Sequence, residues 1–313
     1  MARRVVALAG GVGAARFLSG LVQVVPPEEL TVIVNTGDDR DFFGLRVCPD
    51  LDIITYTLAG RINRETGWGL AGETWHTLEE LRKFGGDTWF GLGDRDLATH
   101  IWRTLQLAAG ATLVEVTREI TRAFGVAVEL LPMSEDPAAS VILREGGTRT
   151  DFEEYLVRDG APDDVAGVDL SAARAAQPAA GVLEALDGAQ TLLLCPSNPV
   201  VSIGPIRAIP ALEACLQRRH DAVGISPIIG GKPVKGPADR LLRAVGSEVS
   251  ALGVARLYRP IARGLVIDRE DRALTAPIEA LGLGVRVEET LMRTQKIARA
   301  LAEAALDLAR SGA

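Results

Sequence analysis

The chain has 313 residues, 47% of them hydrophobic and 24% charged, with a formal net charge of −7. That is enough apolar material for one large core or two small ones, at an ordinary charge content for a globular protein. The acidic balance, without a basic block, argues against a nucleic-acid binder, and apolar runs as short as Thr191–Cys195 argue against a membrane-spanning helix.

Met1-Ala2-Arg3-Arg4 precedes the apolar run Val5–Ala9. Two arginines before an apolar run faintly resemble a signal peptide, but the run is short and ends in Gly10-Gly11-Val12-Gly13. That continuation reads better as a first strand, buried on both faces, and its phosphate loop. Ala14–Val24 follows with helical spacing of Phe17, Leu18, Leu21 and Val22, stopped by Pro26-Pro27, and Leu30–Val34 is a second strand. Backbone N–H groups of Gly10, Gly11 and Gly13 at a helix start attract phosphate. The full dinucleotide fingerprint G-x-G-x-x-G is absent, because Ala15 and Arg16 follow Ala14.

The second strand runs into Asn35-Thr36-Gly37-Asp38-Asp39, and Cys48-Pro49-Asp50-Leu51-Asp52 comes soon after. The four carboxylates of these two motifs, close to a phosphate loop, suit Mg²⁺, which takes one or two carboxylates plus phosphates and waters. Aspartate also caps helices and turns, so at least one of Asp39 and Asp52 is expected to do only that.

The middle of the chain is different in character. Glu73–Phe84 and Asp94–Ala108 read as helices; Val126–Leu131, Ser140–Arg144 and Asp151–Val157 read as short strands among turns. Residues 73–180 are therefore expected to be an insertion covering one side of a sheet edge, with 1–72 and 181–313 forming the core. Three of the four tryptophans, including Trp68 and Trp89, fall between 68 and 89, where they can stack on a planar ligand or simply fill a core. Asp94 is a candidate helix N-cap, and His100 is more readily a satisfied structural histidine than a general base.

Thr191–Leu194, Asp221–Ile225 and Gly264–Ile267 are further strands, with helices at Ala211–Arg219 and Pro237–Ala244 and a long one from Thr290 to Ala309. The whole is an α/β fold, a Rossmann-like, doubly wound, mostly parallel sheet with a mixed helical and β insertion. Two more loops lie at strand ends. Ser197 and Asn198 in Cys195-Pro196-Ser197-Asn198-Pro199 offer polar groups to a base or phosphate, and Ser226 to Gly236, with Gly230 and Lys232, offers glycines and lysines. Each loop alone is what a turn looks like; together they are harder to dismiss. Cys48, Cys195 and Cys215 are odd in number and match no zinc or redox spacing, which points to a reducing cytoplasm.

These motifs, Val32 to Asp39, Cys48 to Asp52, Gly91 to His100, Cys195 to Pro199 and Ser226 to Gly231, resemble the 2-phospho-L-lactate transferase family of coenzyme F-420 biosynthesis. The resemblance extends from Val5 to beyond Asp268. It implies a Mg²⁺-dependent transferase that moves a phospho-acid from a guanosine-diphosphate-activated donor to the ribityl hydroxyl of 7,8-didemethyl-8-hydroxy-5-deazariboflavin, releasing GMP. It also implies roles: Asp38 and Asp50 as principal metal carboxylates with Asp39 and Asp52 in support; Gly10, Gly11 and Gly13 around phosphate, with Asn35 and Thr36 beside them; Ser197, Asn198, Ser226, Gly230 and Lys232 at the guanosine end; Trp68, Trp89 and Asp94 to His100 around the deazaflavin. A homodimer is a family-level expectation. The runner-up is the gluconeogenesis-factor family of nucleotide-sugar-binding regulators, whose Asp-Asp loop continues into glycines and serines, whereas Asp38-Asp39 here continues into Arg40-Asp41-Phe42-Phe43. A dehydrogenase-like dinucleotide binder is weaker still, lacking the glycine fingerprint.

Overall fold

A computed structural model describes residues 4–311, so the leader-like Met1–Arg3 lies outside the described residues. β1 (Val5–Ala9) leads into α1 (Gly11–Leu21) and then β2 (Leu30–Val34). The helix begins at Gly11 rather than Ala14: first-turn N–H groups need no partner inside the helix, so the glycines there cost it little. A hairpin of β3 (Arg40–Phe42) and β4 (Leu45–Val47) precedes α2 (Pro49–Leu58), which opens on a proline whose missing N–H is not required there. α3 (His76–Lys83), α4 (Asp96–Ala108) and α5 (Leu113–Ala123) lead to β5 (Glu129–Pro132). β6 (Val141–Arg144), β7 (Arg149–Asp151) and β8 (Val165–Asp169) form a separate antiparallel sheet in the order β7-β6-β8.

α6 (Ser171–Ala175) and α7 (Val182–Gly188) bring the chain back to β9 (Thr191–Leu194). α8 (Ile203–Ala208) and α9 (Pro210–Arg219) precede β10 (Ala222–Ile225), followed by a small hairpin of β11 (Ile228–Ile229) and β12 (Lys232–Pro233). α10 (Ala238–Ala244), α11 (Ala251–Tyr258), β13 (Ala262–Asp268), α12 (Thr275–Glu279), β14 (Gly284–Glu288) and α13 (Gln295–Arg310) complete the fold.

The central sheet has seven strands in the order β14-β13-β10-β9-β1-β2-β5, every neighbouring pair parallel. Strand alternation divides the core in two. Val6 and Leu8 face one layer with Ile33, Leu194 and Leu265; Val5, Ala7 and Ala9 face the other with Val32, Leu193 and Val266. The second layer holds α1, α2 and α13; α7 to α11 fill the first. This is the doubly wound α/β fold expected. α1 and α13 touch closely at Gly20, where an added Cβ would lie 2.3 Å from a backbone atom of Ala298.

Three expectations are corrected. Residues 73–180 are not a uniform insertion, because β5 lies among them and pairs with β2, placing Leu130 and Leu131 in the two core layers. Burial on both sides makes β5 a core strand despite its polar flanks. The strand expected over Asp151–Val157 ends at Asp151, and Glu154–Arg158 coils into a short π-helix that buries Tyr155. The last helix starts at Gln295, not Thr290: Thr294 Oγ1 caps it by accepting from Ile297 N, while Asp268 holds the Thr290 N–H and hydroxyl at 2.8 and 2.9 Å. No helix among the described residues is long and apolar enough to cross a membrane.

Candidate active site

A cavity of about 700 Å³ opens at the C-terminal ends of β1, β2, β9 and β10, lined by segments that follow those strands. β1 sits between β2 and β9, where successive connections leave in opposite directions and the loops part, so the fold itself makes the crevice there.

Gly10 N donates to Ser197 Oγ at 3.2 Å and Gly11 N to Asp50 Oδ1 at 2.7 Å. The loop expected to cradle phosphate has thus spent two of its N–H groups on the protein. The N–H groups of Val12 and Gly13, in the first turn of α1, remain for an anion. Gly13 is required sterically, since a Cβ would lie 2.3 Å from the Pro196 carbonyl oxygen.

Asp38 and Asp50 face one another across the Asn35 amide, whose Nδ2 donates to Asp38 Oδ2 at 3.1 Å and to Asp50 Oδ2 at 2.9 Å. The same amide accepts from Gly37 N at 2.9 Å, so Asn35 fixes the turn and both carboxylates, although it lies behind the cavity wall. Asp38 Oδ1 is buried and has no hydrogen-bond partner. Burial, then the charges of Asp50, Glu153 and Asp39, push the Asp38 carboxyl well above the usual range. Burial pushes Asp50 up to about 6, against the Asn35 and Gly11 hydrogen bonds. Burial and then Asp50 push Glu153 up to about 7. Three carboxylates that resist ionising together, one with an orphaned oxygen, are suited to a cation. Among the described residues no group of three or more His, Cys, Asp or Glu forms a metal cage of its own. An ion at Asp38 and Asp50 would therefore complete its shell with substrate phosphates and water, which is how Mg²⁺ is usually held.

The other carboxylates of the expected cluster are placed differently. Asp52 lines the cavity but is bound by both terminal nitrogens of the buried Arg103. Asp39 is away from the cavity lining, and burial pushes its carboxyl up to about 8, against the hydrogen bond with Cys48. Thr36 is buried beneath the turn and also lies outside the lining.

At the β9 and β10 ends, Ser197, Asn198 and Ser226 line the cavity. Asn198 Oδ1 accepts from Val200 N at 2.9 Å, which leaves its Nδ2 to face a ligand. Ser226 Oγ closes its own turn with both backbone groups of Ile228. Gly230 and Lys232 are not in the lining: Gly230 N is held by both Asp271 oxygens at 3.2 Å, and Lys232 is exposed on β12. The cations that do line the cavity are Arg16 and Lys235, and Lys235 Nζ donates to Thr66 O at 2.9 Å across its mouth. Thr290, Leu291 and Met292 complete this end.

At the other end, Trp68, Phe90, Tyr56 and His100 line the cavity. Trp89 does not; it packs against Phe42 at 5.3 Å and beneath Arg40 and Arg158. Asp94 is not at the cavity either, nor does it cap its own helix. It accepts from His76 N and Thr77 N at the start of α3, while Glu73 accepts from Arg95 N and Asp96 N at the start of α4. Each helix is capped by the acid that precedes the other. Glu153 and Arg16 were missed in sequence, and Lys235 was read only as part of the Ser226 to Gly236 loop, with the named expectation falling on Lys232. Glu153 lies 115 positions from Asp38 with no motif to mark it, whereas Arg16, one helical turn beyond Val12, carried a signal in its spacing.

The 2-phospho-L-lactate transferase CofD family model matches residues 5–300. A phosphoenolpyruvate transferase of Kitasatospora aureofaciens is 48% identical over 98% of both chains. A 2-phospho-L-lactate transferase of Methanosarcina acetivorans is 39% identical over 95% of this chain and 96% of its own. Among solved structures, a Bacillus halodurans protein of the UPF0052 family superposes with a TM-score of 0.63 at 18% identity, covering 98% of this chain and 99% of its own, a likeness of fold alone.

Proposed function

As a member of the 2-phospho-L-lactate transferase CofD family, the chain is a transferase, and we propose that it moves a three-carbon phospho-acid from a guanosine-diphosphate-activated donor to the ribityl hydroxyl of 7,8-didemethyl-8-hydroxy-5-deazariboflavin, releasing GMP, in coenzyme F-420 biosynthesis. The observation that carries this reading is the cavity itself. It joins a carboxylate pair beside free helix N-terminal N–H groups to an end lined by Trp68, Phe90 and Tyr56. The relative from Kitasatospora is named for phosphoenolpyruvate and is more similar than the methanogen relative named for phospholactate, so the enolpyruvyl donor is the favoured one.

In this reading Asp38 and Asp50 would hold Mg²⁺, which would supply charge neutralisation toward the donor diphosphate. The residues do the rest by positioning. Asn35 holds the two carboxylates, Val12 and Gly13 N–H groups receive phosphate oxygens, and Asn198 Nδ2 meets the guanosine end. Trp68 and Phe90 receive the flat ring. In-line transfer between bound phosphate and hydroxyl depends on such placement more than on covalent help from the protein. A cytoplasmic setting suits the three free, buried cysteines, and a homodimer is the expectation carried by the resemblance.

The decisive experiment incubates the protein with Mg²⁺, the deazaflavin and, separately, the enolpyruvyl, lactyl and glyceryl guanylated donors, followed by mass analysis. The expected result is a phosphodiester product with GMP release, largest with the enolpyruvyl donor and abolished by excess EDTA. Absence of product from every donor with Mg²⁺ present would overturn the reading.

A further inference from the structure

Two cations at the mouth of the cavity have no part in the chemistry proposed so far. Arg16 lies on α1 and Lys235 on the loop after β12, and both line the cavity. Arg16 is one helical turn beyond Val12, and helix side chains lean toward the N-terminus, which carries its guanidinium toward the first turn of α1. Lys235 reaches the same turn from the other side. A Cβ added to Gly67 would lie 3.3 Å from Val12 Cγ1 and 3.4 Å from Lys235 Nζ, so the ammonium stands beside Val12. The two charges feel one another: burial and then Arg16 lower the pKa of the Lys235 ammonium, and no carboxylate offsets them.

Like charges brought together repel, and this chain has acids to spare, with a net charge of −7 and Asp38, Asp50 and Glu153 in the same cavity. Yet among the described residues no carboxylate pairs with Arg16 or Lys235, whereas Arg40, Arg144, Arg207 and Arg219 each find one. Lys235 Nζ donates only to the Thr66 carbonyl, at 2.9 Å. Two converging cations without an acid are a place for an anion. The donor diphosphate is already met by the Val12 and Gly13 N–H groups and by Asp38 and Asp50 with their metal. The charge left over on the donor is the carboxylate of its acid. In the enolpyruvyl and lactyl donors that carboxylate sits on the carbon that bears the phosphate oxygen, so it falls next to the phosphate, beside the turn where Arg16 and Lys235 meet.

We propose that Arg16 and Lys235 bind the carboxylate of the donor's acid and so select donors that carry it next to the phosphate; this rests on the donor reading above. The planar guanidinium can take both carboxylate oxygens, while the ammonium adds a point charge from the opposite wall.

The test is calorimetry with Mg²⁺ and without acceptor, on wild type, Arg16→Gln, Lys235→Gln and the double variant. Two ligands are compared: the lactyl guanylated donor and the ethyl ester of GDP, which keeps the diphosphate diester and lacks the carboxylate. Wild type should prefer the lactyl donor about tenfold or more. Each single variant should shrink that preference about threefold, as for an ion pair at a partly exposed site, and the double variant should abolish it. The ethyl ester should bind all four proteins within a few-fold. Arg16→Gln breaks no contact within the protein, so its effect cannot come from the Thr66 link that Lys235→Gln also loses. Equal losses for both ligands would assign the cations to the phosphates and overturn the proposal, as would a preference that survives in the double variant or is missing in wild type. Failure of wild type to bind either ligand would instead overturn the donor reading.

Discussion

At the residue scale the site is a set of charges kept under tension. Asp50 and Glu153, at about 6 and about 7, hold protons in the folded chain at pH values where the unfolded chain has released them. The folded state therefore binds more protons across the window from about pH 4 to 7, and stability of the metal-free protein should fall as pH rises through it. Thermal melts at pH 5 and pH 8 check this, and Mg²⁺ should recover part of the loss at pH 8; melting that rises with pH would contradict it. By the same logic Asp38→Asn should raise the melting temperature without metal at pH values where the unfolded carboxyl ionises, since it removes the cost of keeping that buried carboxyl from ionising, yet lower kcat about 100-fold or more. The deazaflavin affinity should change little. If Asp38 only shapes its turn, kcat will stay near wild type in Asp38→Asn and collapse in Asp50→Asn. Asn198→Asp keeps the oxygen that holds the Val200 turn and removes the amide donor, so GDP affinity should fall about tenfold with the fold intact. Unchanged calorimetry would remove Asn198 from the guanosine end.

Elements are held by contacts that cross between them. α3 and α4 exchange caps through Asp94 and Glu73, so neither start is independent of the other. Glu73→Ala strips two accepted bonds from the start of α4 and should cost about 1 kcal/mol, a loss of a few degrees in melting temperature. Because this loop carries Trp68 and α4 carries His100, deazaflavin binding should weaken as well, which fluorescence titration would detect. The α1 and α13 contact predicts a sharper effect. Gly20→Ala would force a methyl into the Ala298 backbone, and a rigid backbone neighbour cannot swing aside. Destabilisation of about 1–3 kcal/mol or more is expected in denaturant unfolding; an unaltered midpoint would mean the helices can part.

For the whole molecule, the sequence by itself determined which segments form the buried strands at the centre of the sheet. Short, largely apolar runs at Val5–Ala9, Leu30–Val34 and Thr191–Leu194, bounded by turn residues, read as strands buried on both faces, and the turn residues after each one mark the edge where ligands bind. Asp38, Asn198 and Ser226 were legible for that reason: short-range patterns placed them at strand ends, and parallel topology brings such ends together, while Asp50 was legible from its clustering with Asp38. Tertiary structure alone decided which neighbours each group met. Asp52 and Asp38 look alike in sequence, but Arg103, fifty-one positions away from Asp52, neutralises one while Asn35 leaves the other with an unpaired oxygen. Lys232 and Lys235 lie three positions apart, and only the path of the β11–β12 hairpin turns one to solvent and the other to the cavity. β5 and Glu153 sit in a polar, turn-rich stretch where local composition conceals burial, because β5 is buried by pairing with the distant β2 and the Glu153 carboxyl meets the distant charge of Asp50. Periodicity and turn chemistry act over a few residues, so they are written in the sequence; ion pairing, desolvation and close approach act through space and exist only once the chain has folded.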